Sequence, residues 1–242
     1  MEKADKLDIL AIGAHPDDVE LGCAGTLLKH IDLGYKVGIL DLTRGELGTR
    51  GSAEIRDQEA AAAAKVLGIT VRENLALIDG FFQNDRECQL AIIRLIRKYR
   101  PSIVITNAFY DRHPDHGRAS KLTADACFLS GLPKIETELG GAKQEKWRPK
   151  AVYHYIQALH MKPDLVVDIS PYFEQKMESV LAYRSQFYDP DSKEPQTFIS
   201  SPEFLDLVRA RAIEFGSYIG VKYAEGYCVD RLIGVPDLVA LL

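Results

Sequence analysis

The stretch Leu7-Asp8-Ile9-Leu10-Ala11-Ile12-Gly13-Ala14-His15-Pro16-Asp17-Asp18 decides the fold. Its first seven residues are mostly apolar and end on glycine, the pattern of a strand buried on both faces. Val19 to Leu33 reads as a helix, with Asp17 or Asp18 near its N-cap and Gly34 just past its end. An imidazole and two carboxylates thus stand where a strand turns into a helix. A second cluster, Arg112-His113-Pro114-Asp115-His116, lies beyond another apolar run, Ser102-Ile103-Val104-Ile105-Thr106. Imidazoles and carboxylates are ligands that hold zinc while leaving a position open for water.

The rest of the chain alternates in the same way. Lys36 to Leu42 and Leu75 to Ile78 read as strands two and three, and Ser102 to Thr106 as the fourth. A glycine-rich loop, Thr43 to Gly51, precedes a helix capped by Ser52 and stopped by Gly68. Asp85 to Arg100 is a helix with Leu90, Ile92, Ile93 and Ile96 as its apolar stripe, ended by Pro101. Lys121 to Leu129 is helical, and residues 131–149 read as a surface insertion or loop. Ala151 to Ala158 and Leu165 to Ile169 are further strands; Ser170-Pro171 and Ser201-Pro202-Glu203 start two more helices. This order predicts an α/β chain of one domain, residues 1–242. The fold is a Rossmann-like, doubly wound, mostly parallel sheet with helices on both faces.

In such sheets ligands bind beyond the carboxyl ends of the strands, where the strand order reverses. The first strand then neighbours the strand that opens the second half. Those strands end at Gly13 and about Thr106, so the two clusters should meet despite their separation in sequence. His15 and Asp18 are three apart at a helix start and can face one point, as can His113 and His116. Spacing leaves open which of these groups bind a metal and which carboxylate, Asp17 or Asp18, remains as a base. A dinucleotide site is disfavoured, because Gly13, Gly22 and Gly25 do not form Gly-x-Gly-x-x-Gly and two carboxylates would repel a pyrophosphate.

Composition narrows the setting. The net charge of -5 argues against a basic nucleic-acid surface. No apolar run approaches the ~20 residues that span a bilayer. Met1 to Asp8 lacks the pattern of a signal peptide. Cys23, Cys88, Cys127 and Cys228 are scattered without a Cys-x-x-Cys pair, so reduced, buried thiols in a cytoplasmic protein are expected.

Ala14-His15-Pro16-Asp17-Asp18 and His113-Pro114-Asp115-His116 resemble the paired signatures of the LmbE-like (PIG-L) zinc deacetylases, which remove the N-acetyl group from glucosamine-containing molecules. Thr43 to Gly51 and Asp111 to Ala119 look closest to the bacillithiol biosynthesis branch, acting on N-acetylglucosaminyl malate; a chito-oligosaccharide or a thiol conjugate is the alternative substrate. The resemblance implies His15, Asp18 and His116 as ligands of Zn2+, with Fe2+ the other metal that suits such a site. It implies Asp17 as general base, and His113 as an imidazolium that stabilises the oxyanion, its ring held by Asp115. A homo-oligomer, trimer or hexamer, is also implied. For the substrate, Arg56 or Arg112 could fork onto a malyl carboxylate, and Glu46 could accept sugar hydroxyls. Tyr183 to Phe187 resembles a family segment near the site. His30, His154 and His160 read as structural or solvent-exposed.

Overall fold

Strand β1 (Ile9–Gly13) is buried along its whole length and lies between two parallel neighbours, β2 (Val37–Asp41) and β4 (Ile103–Thr106). The structure is a computed structural model that describes residues 6–239; residues 1–5 of the charged N-terminal stretch lie outside the described residues. The described residues form a seven-stranded sheet that also takes in β3 (Val71–Asn74), β7 (Ala151–Tyr155), β8 (Leu165–Asp168) and β9 (Ala224–Cys228). The strand order is β3-β2-β1-β4-β7-β9-β8. All pairings are parallel except those of β9, which runs antiparallel to both its neighbours.

Alternation along β1 divides the core. Leu10 and Ile12 pack with α3 (Arg86–Tyr99) and α4 (Pro114–Ser130), while Ile9 and Ala11 pack with α1 (Asp18–Asp32). Helix α2 (Ala53–Leu67), α5 (Phe173–Leu181) and α6 (Pro202–Ser217) close a third apolar cluster over the α1 side. The helices therefore cover both faces, as the alternating pattern predicts. Ser52 caps α2 by accepting the Ile55 N–H, and Gly68 ends it in the left-handed conformation. All four cysteines are free and buried. Among the described residues no helix is long and apolar enough to cross a membrane.

Several elements differ from the sequence expectation. The third strand is Val71–Asn74, not Leu75 to Ile78. A polar Val-Arg-Glu-Asn strand is tolerated at the sheet edge because Arg72 forks onto Asp41 of β2 at 2.8 and 2.9 Å. Leu75 and Leu77 still pack against the core, but Ala76 has φ 49° and breaks the extended conformation between them. Helix α4 begins at Pro114 rather than at Lys121, so the second His/Asp cluster forms its first turn. Ser170 lies in a 3-10 turn (Ser170–Tyr172) that leads into α5, instead of capping it. Residues 131–149 carry a short hairpin, β5 (Glu138–Leu139) with β6 (Ala142–Lys143). Arg97 pins this segment by donating to the carbonyls of Ser130, Leu132 and Ile135, and Trp147 donates to Pro101 O. It is thus anchored at the end of the sheet opposite the two clusters. Strand β9 was not expected; it carries a glycine and a charge, which masked it.

Candidate active site

Side by side, β1 and β4 bring the two clusters together at the carboxyl end of the sheet. Ligating atoms of His15, His113 and His116 lie within 4.8 Å of one another. Asp18 sits between two of these imidazoles: its Oδ1 is 3.2 Å from His116 Nε2 and its Oδ2 is 3.5 Å from His15 Nδ1. Gln157 donates to Asp18 Oδ1 at 2.7 Å and Asn107 to Oδ2 at 3.1 Å. Asn107 in turn accepts the Ala14 N–H, which ties the first cluster to the end of β4. His154 is structural, holding Asn107 O and Ser120 with its Nδ1.

Each of the two rings beside Asp18 is backed by carboxylate on its other nitrogen. His116 Nδ1 lies 2.8 Å from Asp111, and His15 Nε2 lies 3.0 Å from Asp79 and 3.3 Å from Asp115. The Asp115 carboxylate also accepts the Gly80 N–H and pairs with Arg118. His113 Nδ1 instead accepts the backbone N–H of Asp115, as the N-cap of α4. Burial and the two neighbouring imidazoles press the His113 pKa down.

Asp17 is buried beside this group at φ 115°, a conformation that costs a non-glycine residue energy. Burial pushes its pKa up to about 7, against the pull of Arg56. Burial also opposes the charges of Asp18 and His116. Their mutual attraction prevails, holding Asp18 well below the usual range and His116 at about 9. Asp79 is likewise burdened by burial, yet its bond to His15 brings it down to about 2.

This donor set fits a metal. Carboxylates of Asp18, Asp79, Asp111 and Asp115 converge on two imidazoles that carry protons to balance them. A divalent cation supplies that positive charge and releases those protons. Two imidazoles and a carboxylate with an open side suit zinc or Fe(II).

The residues expected to meet the substrate are placed differently from one another. Arg56 is buried, donating to Asp17 Oδ2 at 2.9 Å, to Gln186 at 3.1 Å and to Pro16 O. The glycine-rich loop passes so close that a Cβ on Gly45 would stand 2.8 Å from its guanidinium. Gln186 belongs to the Tyr183 to Phe187 segment, which thereby reaches Asp17 through Arg56. Arg112 is exposed over the Phe198 ring and lines a cavity of about 450 Å³ above the cluster, with Gln157, Arg211 and Phe215. Glu46 is exposed and accepts the N–H of Arg44 in its own loop and that of Asp79 in the loop after β3. Asp79, Asp111, Asn107 and Gln186 escaped the sequence reading of roles; each lies in a loop after a strand or helix.

The family model described as PIG-L, GlcNAc-PI de-N-acetylase, matches residues 10–127. The diacetylchitobiose deacetylase of Thermococcus kodakarensis is 32% identical over 234 residues, covering 92% of this chain and 82% of its own length. The probable N-acetyl-alpha-D-glucosaminyl L-malate deacetylase 2 of Bacillus anthracis is 27% identical, covering 74% and 81%. The bacillithiol branch is thus a more distant match than the loop motifs suggested. The conserved protein TT1542 of Thermus thermophilus superposes with a TM-score of 0.84 at 37% identity, covering 95% of this chain and 98% of that one. With this likeness along nearly its whole length, the chain belongs to the PIG-L family and is a metal-dependent N-deacetylase.

Proposed function

We propose that this enzyme removes the N-acetyl group from a glucosamine unit of a chito-oligosaccharide-type glycoside. The observation that carries this reading is the position of Arg56. Both of its terminal nitrogens donate within the protein, to Asp17 and to Gln186, which makes Arg56 a holder of the proposed base rather than a dedicated clamp for a malyl carboxylate. Similarity to a diacetylchitobiose deacetylase over most of both chains supports the same choice. The second reading, deacetylation of N-acetylglucosaminyl malate, rests on Arg112, which is exposed beside the cavity and free to meet an anionic aglycone.

In this mechanism His15, Asp18 and His116 would hold the metal. When bound, the metal polarises the acetyl carbonyl and lowers the pKa of water. Asp17 takes the proton of the attacking water and returns it to the leaving amine; a pKa near neutrality suits both directions. Arg56 keeps that carboxylate in place. With its Nδ1 accepting the Asp115 N–H, His113 carries its proton on Nε2 and can donate it to the oxyanion as a neutral ring. Asp115 serves His15 more directly than His113. A homo-oligomer in the cytoplasm remains part of this reading, tested by light scattering for the assembly and by cell fractionation for the compartment.

Amine release from diacetylchitobiose, N-acetylglucosaminyl malate and N-acetylglucosamine, with zinc-loaded protein, tests the substrate. Preference for the disaccharide supports the first reading, and preference for the malate conjugate replaces it with the second. Asp17→Asn should lower kcat by about 10²–10⁴-fold with zinc binding retained; unchanged turnover would remove Asp17 from the mechanism.

A further inference from the structure

His15 makes contacts at both ring nitrogens, and they are of different kinds. Nδ1 faces Asp18 at 3.5 Å, on the side of His116. Nε2 faces two carboxylates at once, Asp79 at 3.0 Å and Asp115 at 3.3 Å. An imidazole that has given up one proton to a metal keeps one N–H and offers one lone pair. Two carboxylates around Nε2 require the N–H there, because a lone pair would face only oxygen acceptors. We propose that Asp79 is a positioning residue that, with Asp115, holds the Nε2–H of His15 and turns its Nδ1 lone pair toward Asp18 and His116. This rests on the reading of His15 as a metal ligand.

Asp79 is built for that task. Its side chain is 6% exposed. Its second oxygen accepts the Leu47 N–H at 2.9 Å, and its own N–H is held by Glu46 at 2.9 Å. The next residue, Gly80, donates to the same Asp115 oxygen that faces His15. The glycine-rich loop, the turn after β3 and the start of α4 are thereby locked on one ring. His116 repeats the arrangement with the nitrogens exchanged, Nδ1 on Asp111 and Nε2 toward Asp18.

His15, Asp79 and Asp115 also lie within 4.8 Å of one another, so a second cation between them is the competing explanation. It would require His15 to lose both ring protons and bridge two ions. Zinc titration against a competing chelator, together with ¹⁵N spectra of the His15 ring in the zinc-loaded protein, separates the two.

The expected result is one zinc per chain, with His15 protonated at Nε2 and coordinating through Nδ1. Asp79→Asn should weaken zinc binding about 10- to 100-fold, the usual consequence of losing such a carboxylate. The spectrum of the wild-type protein tests the tautomer even if the variant folds poorly. Zinc affinity unchanged in a folded Asp79→Asn protein, coordination through Nε2, or a second zinc lost with Asp79 would each overturn the inference. Zinc binding that survives His15→Ala undiminished would instead overturn the metal-site reading on which it rests.

Discussion

The guanidinium of Arg56 donates to the carboxylate of Asp17 across 2.9 Å, and both side chains are buried at 5% and 8% exposure. They come from different elements, one from α2 and one from the turn before α1. Gln186 buttresses the pair from the segment after α5. The proposed base is therefore set by three parts of the chain, not by its own turn alone.

Replacing Arg56 by Met leaves the Asp17 carboxylate buried without its cation. Losing one partner of such a pair costs about 3–5 kcal/mol, which chemical denaturation would register. A displaced base should also lower kcat/KM by roughly 10²-fold at neutral pH. A rise in KM confined to anionic substrates, with kcat intact, would return Arg56 to the role of carboxylate clamp.

Stripping the metal with a chelator should abolish activity, and adding back zinc should restore it. The metal should also stabilise the fold, because it binds the assembled cluster and not the unfolded chain. Zinc at 1,000 times its dissociation constant contributes about 4 kcal/mol. At about 2–4 °C per kcal/mol for a chain of this size, melting should fall by roughly 8–16 °C on removal. An unchanged melting temperature would argue that the cluster holds no metal.

Lys176 and Glu225 form a second buried pair at 2.6 Å, where α5 meets β9. Glu225 also accepts the N–H groups of Gly25 and Thr26 within α1, and Lys176 donates to Leu21 O. Lys176→Met should destabilise by about 3–5 kcal/mol, since the buried Glu225 loses its cationic partner. Adding Glu225→Gln should recover part of that loss in a double-mutant cycle. Strictly additive effects would show that the two groups are not coupled.

Gly22→Ala sets two effects against each other. Alanine improves helix propensity by about 1 kcal/mol. A Cβ at this position, however, would overlap the ring of Tyr155, which is wholly buried and cannot swing away. Overpacking of that kind costs about 1–3 kcal/mol, so the variant should melt lower than the wild type. A higher melting point would mean that α1 can slide on the sheet.

The sequence made the meeting of His15, Asp18, His113 and His116 legible because two facts combined. Each cluster ends an apolar strand, and the topology of doubly wound sheets places those strands together. The residues behind them were not legible. Asp79 follows Leu75–Ile78, whose apolar character imitates a strand, whereas the true strand is polar and stabilised by Arg72 on Asp41. Arg56 has the spacing of an exposed helical arginine, and only the close approach of the glycine-rich loop turns it inward. Ala224–Cys228 lacks a run of β-branched residues; it is a strand because two neighbours supply its hydrogen bonds.

That last strand has a consequence for synthesis. Among the described residues strand β8 has no partner in the sheet other than β9, and Ala224, Glu225 and Gly226 supply part of the cavity wall. A chain emerging from the ribosome can assemble β1 to β7 and bring both His/Asp clusters together while β8 still waits for its neighbour. The reaction chamber is completed only when residues 224–228 insert between strands made some 70 and 60 residues earlier, a late long-range contact of the kind that slows folding. Nascent and truncated copies would thus gather the metal-binding groups before they possess a walled chamber.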